Sequence, residues 1–285
     1  MKLAIGSAQF GMLYGINNRV GQVSQQEVKL ILKYASSVGI NTIDTAISYG
    51  SSEKVLGYTG VERFRVVSKL PPIPNDIQNI ENWMFVEINS SLKRLGISSL
   101  DAIMLHQPNQ VFGPMGKKIL SSFQAVKKSG LAKKLGVSIY DPADLDKLFN
   151  IYNFDIIQCP LNILDRRLVD SGWLVKLKSD GVEVHTRSSF LQGLLLMERN
   201  KIPAKFEIWK SYWDKWDEWI RDNNISRIRA CLSYCLSCKG IDKIVVGVDK
   251  ESQLREIVDI AESKILTTFP DISCTNIKLI NPSKW

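Results

Sequence analysis

The chain has 285 residues, of which 45% are hydrophobic and 23% charged, and its formal net charge at pH 7 is +8. These fractions are typical of a soluble globular protein. No apolar run is long enough for a transmembrane helix and the first residues lack a signal-peptide layout, so neither a membrane protein nor a secreted one is expected.

The excess of positive charge does not predict a nucleic-acid partner. Basic pairs such as Lys117–Lys118, Lys127–Lys128 and Lys133–Lys134 are spread along the chain, as on solvated helix faces and helix ends. An anionic small molecule stays compatible with this charge.

The five cysteines form an odd set in mostly apolar surroundings, which indicates a reducing compartment without a disulfide framework. We therefore expect a cytoplasmic protein. Cys231, Cys235 and Cys238 share a helical region, but three cysteines without a nearby fourth ligand are an unusual zinc arrangement. Core packing is the preferred interpretation, and no metal site is predicted.

Short apolar runs alternate with amphipathic helical patterns from one end of the chain to the other. The runs predict strands at Leu3–Ile5, Thr42–Asp44, Val66–Leu70, Ala102–Leu105, Leu135–Ser138, Ile156–Gln158, Val182–His185 and Ile244–Val246. Helical spacing is clearest at Val28, Ile31, Leu32, Ala35 and Val38, at Met84, Ile88, Leu92 and Leu95, and at Leu254, Ile257, Val258 and Ala261. The alternation predicts an α/β fold, a (β/α)₈ TIM barrel that forms a single domain over residues 1–285.

A doubly wound open sheet is the alternative fold. It normally carries a glycine-rich phosphate fingerprint after its first strand, and Gly6–Gly11 lacks the required spacing. The longest gap between strands precedes the eighth strand and predicts a tryptophan-rich helical insert over residues 199–225. Its aromatic residues suit packing against the barrel, and a cap over the mouth of the barrel is the other interpretation.

Four polar residues, Asp44, Tyr49, Lys69 and His106, lie at or just after the ends of three successive predicted strands. In a barrel these strand ends share one rim, so an acid, a phenol, an amine and an imidazole would meet there. This set can protonate a carbonyl oxygen: Tyr49 as the acid, Lys69 lowering its pKa, Asp44 holding Lys69, and His106 orienting the carbonyl. No side chain delivers a hydride, so a nicotinamide cofactor must bind beside them.

The chain resembles the aldo-keto reductase family along its whole length. The matching segments are Gly6–Gly11, Ile43–Ala46, Tyr49–Glu53, Ser68–Leu70, Leu105–His106, Gly136–Ser138, Gln158–Asn162 and Val246–Val248. The resemblance implies a (β/α)₈ barrel that reduces aldehydes and ketones with NADPH or, less often, NADH. It also implies that the catalytic Asp, Tyr, Lys and His are Asp44, Tyr49, Lys69 and His106.

The same resemblance implies a set of cofactor-binding residues. Ser138 and Gln158 would hold the nicotinamide amide, although Ile139 stands where the family has Asn. Arg187 stands where the family often has an aromatic residue, and a guanidinium can stack on a ring or reach a pyrophosphate.

The last cofactor segment begins at Gly247. Lys250 would pair with a 2′-phosphate and Gln253 would lie near the adenine, whereas Asp249 would repel the phosphate. We therefore expect NADPH, with NADH also possible.

These observations favour an NAD(P)H-dependent reductase of a small-molecule aldehyde or ketone. A sugar-derived carbonyl compound is the suggested substrate. The two alternatives are a cofactor-binding regulatory subunit without catalysis, and a sugar lyase or epimerase that uses transient redox chemistry. The sequence leaves the substrate and the oligomeric state open.

Overall fold

The computed structural model describes residues 1–18 and 21–285, and it contains all eight predicted strands. The strands are β1 (Leu3–Gly6), β2 (Thr42–Asp44), β3 (Arg65–Leu70), β4 (Leu100–Leu105), β5 (Ala132–Ser138), β6 (Ile156–Pro160), β7 (Glu183–Arg187) and β8 (Lys243–Gly247). All are parallel, each pairs with the next, and β1 also pairs with β8. The prediction of a closed (β/α)₈ barrel is confirmed.

Helices connect the strands and cover the outside of the barrel. They are α1 (Ala8–Gly11), α2 (Gln25–Ser37), α3 (Ser52–Thr59), α4 (Ile80–Leu95), α5 (Gly116–Lys128), α6 (Asp144–Phe149), α7 (Arg167–Asp170), α8 (Trp173–Ser179), α9 (Lys210–Asn223), α10 (Arg227–Ser237), α11 (Glu251–Glu262) and α12 (Ile277–Ile280). In α4 the Asn79 side chain accepts a hydrogen bond from Asn82 N, and the helix ends at Gly96 in the left-handed conformation. Local sequence signals therefore set both ends of this helix.

The inside of the barrel is polar at both ends and apolar between them. Val67, Ala102, Met104 and Ile156 form a small buried cluster separate from the main core, which lies between the strands and the helices. Below this cluster, toward the amino ends of the strands, Glu183 is bonded to Arg65, Lys134 and His185. Above it lie the predicted catalytic residues.

The segment between β7 and β8 contains 3₁₀ helices at Leu191–Leu196, Arg199–Lys201 and Ala204–Trp209, followed by α9. Trp213 and Trp216 are buried, and their indole N–H groups donate to Phe206 O and Leu195 O. Trp219 stacks on Trp216 and Phe269. These contacts favour packing as the role of the tryptophans. On α10, Cys231 and Cys235 are likewise buried thiols.

Candidate active site

A buried ion pair between β2 and β3 forms the centre of the site. Lys69 Nζ lies 2.6 Å from Asp44 Oδ1 and also donates to Thr45 O at 2.9 Å. Lys69 is 0% exposed and Asp44 4%. Burial lowers the pKa of Lys69, and the Asp44 carboxylate opposes that shift. The Asp44 carboxylate thus stabilises the charged form of Lys69, which burial alone would neutralise.

A chain of hydrogen bonds joins this ion pair to β5 and β6. Gln158 Nε2 donates to Asp44 Oδ2 at 2.6 Å, and Ser138 Oγ donates to Gln158 Oε1 at 3.0 Å. Because a carboxylate only accepts, Asp44 fixes which end of the Gln158 amide faces it. The structure thus places Gln158 in direct contact with the Asp44–Lys69 pair and joins Ser138 to it through Gln158.

Tyr49 and His106 complete the predicted group of four. Lys69 Nζ lies 5.3 Å from the centre of the Tyr49 ring, and the Tyr49 and His106 rings meet edge to face at 5.9 Å. His106 Nδ1 lies 3.3 Å from Ser48 Oγ. Burial lowers the pKa of His106 to about 4, with Lys69 and Arg187 adding to the shift. His106 is therefore neutral near pH 7, and a Ser48 hydroxyl that donates to Nδ1 leaves Nε2–H as the ring's donor.

The pKa of Tyr49 differs from the sequence expectation. Burial raises it above its ordinary value of 10, Asp44 raises it further, and Arg187 acts in the opposite direction. Lys69 was expected to lower this pKa, but its charge is compensated by Asp44 at 2.6 Å. The raised pKa keeps the Tyr49 phenol protonated near pH 7. Within residues 1–18 and 21–285 its hydroxyl makes no hydrogen bond, so the proton is free to donate.

The loop that carries Tyr49 is fixed by close backbone contacts with the β1 loop. A Cβ atom on Gly11 would lie 1.9 Å from Tyr49 O and 2.2 Å from Ser52 N. Ser51 N donates to Gly11 O at 3.2 Å, and Ser52 Oγ donates to Ser7 O at 2.9 Å. Only glycine at position 11 permits this approach.

Glu53, on the first turn of α3, anchors the same loop from behind. Its buried carboxylate accepts from Ser68 Oγ at 2.9 Å, Ser91 Oγ at 2.6 Å and Arg94 Nε at 2.8 Å. These bonds tie α3 to β3 and α4. The matched segment Tyr49–Glu53 therefore combines one reactive side chain with the groups that position it.

Arg187 ends β7 on the same rim. Its guanidinium donates to Ile139 O at 3.0 Å and lies 4.3 Å from the centre of the Tyr140 ring. No carboxylate in the described part of the chain pairs with it, and its charge acts on Tyr49, Lys69 and His106.

Two rim tyrosines were missed by the sequence reasoning. Tyr140 follows Ile139 after β5. Burial raises the pKa of Tyr14, which lies in the segment after β1, and the nearby Tyr49 raises it further. Gln192 Nε2 lies 3.5 Å from the Tyr14 hydroxyl. The position of Tyr140 just beyond a strand end was an available signal. Nothing in the sequence near Tyr14 indicated its placement.

The remaining predicted cofactor residues lie at the end of β8 and the start of α11. Gly247 pairs with Gly6 of β1, so this turn shares the rim with the other residues. Gln253 Oε1 accepts from Asp249 N at 2.7 Å and from Lys250 N at 3.3 Å, and the Lys250 side chain is exposed. Gln253 is thus partly engaged in capping its own helix.

No group of three or more His, Cys, Asp or Glu side chains in residues 1–18 and 21–285 could hold a metal ion. Over the same residues, no helix has both the length and the apolar character needed to cross a membrane.

Comparisons with known proteins found a family model and relatives that match most of the chain. The sequence model of the Aldo/keto reductase family matches residues 2–269. A probable voltage-gated potassium channel subunit beta from Oryza sativa subsp. japonica is 23% identical over 270 residues, 82% of each chain. A D-threo-aldose 1-dehydrogenase from a Pseudomonas species is 22% identical over 313 residues, covering 92% of this chain and 91% of the relative.

Solved structures show the same fold. The holo form of an aldo-keto reductase from Bacillus halodurans superposes with a TM-score of 0.73 at 20% identity, covering 93% of this chain and 88% of that one.

Proposed function

The chain belongs to the aldo/keto reductase family, and we propose that it is a nicotinamide-dependent oxidoreductase that reduces an aldehyde or ketone to the alcohol. The observation that carries this proposal is the buried Asp44–Lys69 pair beside a protonated Tyr49 whose hydroxyl is free to donate. Tyr49 is partly exposed and its hydroxyl has no hydrogen-bond partner among the described residues, so the phenol stays available to a bound carbonyl.

In the proposed reaction Tyr49 Oη gives its proton to the carbonyl oxygen. Neutral His106 donates a hydrogen bond from Nε2 to the same oxygen and orients it toward Tyr49. After transfer, the guanidinium of Arg187 is the charge that favours the phenolate, while Lys69, held by Asp44, lies beside the Tyr49 ring. The reverse reaction uses the same groups with Tyr49 as the base.

The residues present fit a nicotinamide carboxamide, which supplies one acceptor and two donors. With its amide fixed by Asp44 and Ser138, Gln158 still has a second N–H donor and a second lone pair on Oε1. When bound, the cofactor supplies the hydride. Ser138 and Gln158 would hold its amide, Arg187 would lie against its ring or its pyrophosphate, and Gly247, Lys250 and Gln253 would bind its adenosine end.

A sugar-derived carbonyl is the proposed substrate class. Tyr14 and Tyr140 offer partly exposed aromatic faces beside Tyr49, a surface that suits the apolar face of a sugar ring, and polar groups such as Ser48 lie among them. The Pseudomonas relative is named for oxidation of an aldose, which supports the same class.

A regulatory subunit without catalysis is the second candidate function, because one relative is named as a potassium channel subunit beta. The four residues argue against it, since cofactor binding alone needs no buried ion pair beside a free phenol. Turnover separates the two functions.

The test is a screen of aldehydes, ketoses and other sugar derivatives for oxidation of NADH and NADPH, followed through absorbance at the reduced nicotinamide band. Tyr49→Phe is expected to lower kcat by about 10²–10⁴-fold while leaving the dissociation constants of the cofactors nearly unchanged. The matched control is Tyr58→Phe, the same change at a surface tyrosine that is 80% exposed, and it should keep full turnover.

Two results would overturn the proposal. A Tyr49→Phe protein with undiminished kcat would remove Tyr49 as the acid. Failure of the wild-type protein to bind either cofactor would remove the oxidoreductase assignment altogether. Cofactor that stays tightly bound and is not consumed while a sugar is converted would favour the lyase or epimerase cycle instead.

A further inference from the structure

The turn between β8 and α11 contains a carboxylate without a partner. Asp249 Oδ1 is buried and accepts no hydrogen bond from any described residue, and no cation pairs with the group. Burial raises the pKa of Asp249, and no neighbouring charge opposes this shift. A buried acceptor without a donor is costly, which marks it as a group that a ligand can satisfy.

The start of α11 is already occupied by groups of the protein itself. Glu27 Oε1, from the first turn of α2, accepts from Glu251 N at 2.6 Å. Gln253 Oε1 accepts from the backbone N–H groups of Asp249 and Lys250. Free N–H groups at a helix start attract a phosphate, and here the Glu27 carboxylate and the Gln253 amide oxygen already bind three backbone N–H groups of the turn.

The basic residues near this turn do not restore a phosphate site. Arg255 donates to Glu251 Oε1 from Nε at 2.9 Å, and its guanidinium lies 4.1 Å from the centre of the Tyr34 ring. Lys250 is exposed and makes no ion pair among residues 1–18 and 21–285. Three carboxylates, those of Glu27, Asp249 and Glu251, therefore face two basic side chains, of which Arg255 is already bonded to Glu251 and only Lys250 is left to meet a phosphate.

We propose that this turn selects the cofactor that lacks a 2′-phosphate, so that NADH is bound in preference to NADPH, and that Asp249 is the specificity-determining residue. In (β/α)₈ barrels the loops after the seventh and eighth strands commonly receive phosphate-bearing ligands. A carboxylate there accepts hydrogen bonds from the ribose hydroxyls of NADH, as acidic residues do in dinucleotide-binding folds, and it repels a phosphate at the same position.

This inference rests on the proposed function, and it reverses the preference for NADPH that the sequence suggested from Lys250. Lys250 is one solvated ammonium, whereas Asp249 has a buried oxygen and no partner. An exposed charge is screened by water and salt, so the buried one decides.

The test is a pair of equilibrium titrations, one with NADH and one with NADPH, followed through quenching of tryptophan fluorescence and needing no substrate. The wild-type protein should bind NADH at least about tenfold more tightly than NADPH. Asp249→Asn should tighten NADPH binding and weaken NADH binding, and so narrow the ratio of the two dissociation constants by about tenfold or more. Asp249→Ser, with a shorter neutral side chain, should change the ratio in the same direction.

Asp259→Asn is the matched control, since Asp259 is exposed further along α11, and the ratio should stay at the wild-type value. Thermal unfolding of each variant confirms that the proteins compared are folded. Wild-type protein that binds NADPH as tightly as NADH, or an unchanged ratio in both Asp249 variants, would overturn this inference while the proposed function stands. If neither cofactor binds to the wild-type protein, both fall together.

Discussion

Substituting Gly11 by Ala tests whether backbone contact between the segment after β1, which contains Gly11, and the segment after β2, which contains Tyr49, sets the position of Tyr49. The new Cβ would lie 1.9 Å from Tyr49 O, about 1.5 Å short of ordinary van der Waals contact, and 2.2 Å from Ser52 N. Both partners are backbone atoms, which cannot rotate away as the end of a side chain can. The loop must therefore shift by about 1 Å, and Tyr49 shifts with it.

A displacement of that size at a catalytic group lowers the rate by about 10²-fold. We expect kcat of Gly11→Ala to fall by this amount and the free energy of unfolding to fall by about 1–3 kcal/mol. The dissociation constant of the cofactor should change little, because Ser138 and Gln158 lie on other strands. The assays are steady-state kinetics on the best substrate of the screen, urea denaturation and a fluorescence titration with the cofactor.

Gly113→Ala is the matched control. A Cβ at Gly113 would approach no closer than 3.4 Å to any neighbour, so the same added methyl group fits without a shift. Both kcat and stability should remain near wild type. Full activity in Gly11→Ala, together with unchanged stability, would refute the idea that backbone contact at Gly11 holds the acid in place.

Two further predictions concern stability. In Glu53→Gln, an amide N–H₂ group would face the donors of Ser68, Ser91 and Arg94 in place of an accepting oxygen. The free energy of unfolding, measured in urea, should fall by about 1–3 kcal/mol, and an unchanged midpoint would contradict this. The pKa of His106 is about 4 in the folded protein against 6.5 in the unfolded chain. The free energy of unfolding should therefore fall as the pH drops from about 6.5 to about 4, by at most about 1.4 kcal/mol per pH unit. His106→Gln should lack this pH-dependent loss of stability.

The barrel, and the meeting of the predicted catalytic residues at one rim, could be predicted from the sequence because both depend on local patterns. Each buried strand is a short apolar run, and parallel strands bring their carboxyl ends to one rim, so Asp44, Lys69 and His106 needed no further information. Ser138 and Gln158 were expected from the family resemblance, and β5 and β6 bring them to the same rim. The four residues and this pair do meet in the structure.

The contacts that set charge and specificity could not be predicted in this way. Glu27 reaches the start of α11 across 224 positions of sequence, a contact that no local pattern reports. The pKa of Tyr49 depends on how burial, Asp44 and Arg187 balance, and a list of neighbouring strand ends does not contain that balance. Sequence reasoning expected these groups to meet, but it assigned the tuning of Tyr49 to Lys69.

The raised pKa of Tyr49 has a consequence for the direction of the proposed reaction. A phenol that holds its proton more firmly than usual is available as an acid over the whole physiological range, whereas its use as a base requires the buried phenolate to form first. Arg187 is the described residue whose charge favours that phenolate, and the Asp44 carboxylate acts against it. Carbonyl reduction thus starts from the protonation state that the free site already has. Alcohol oxidation must first remove a proton against both burial and Asp44, so it should need a higher pH than reduction does.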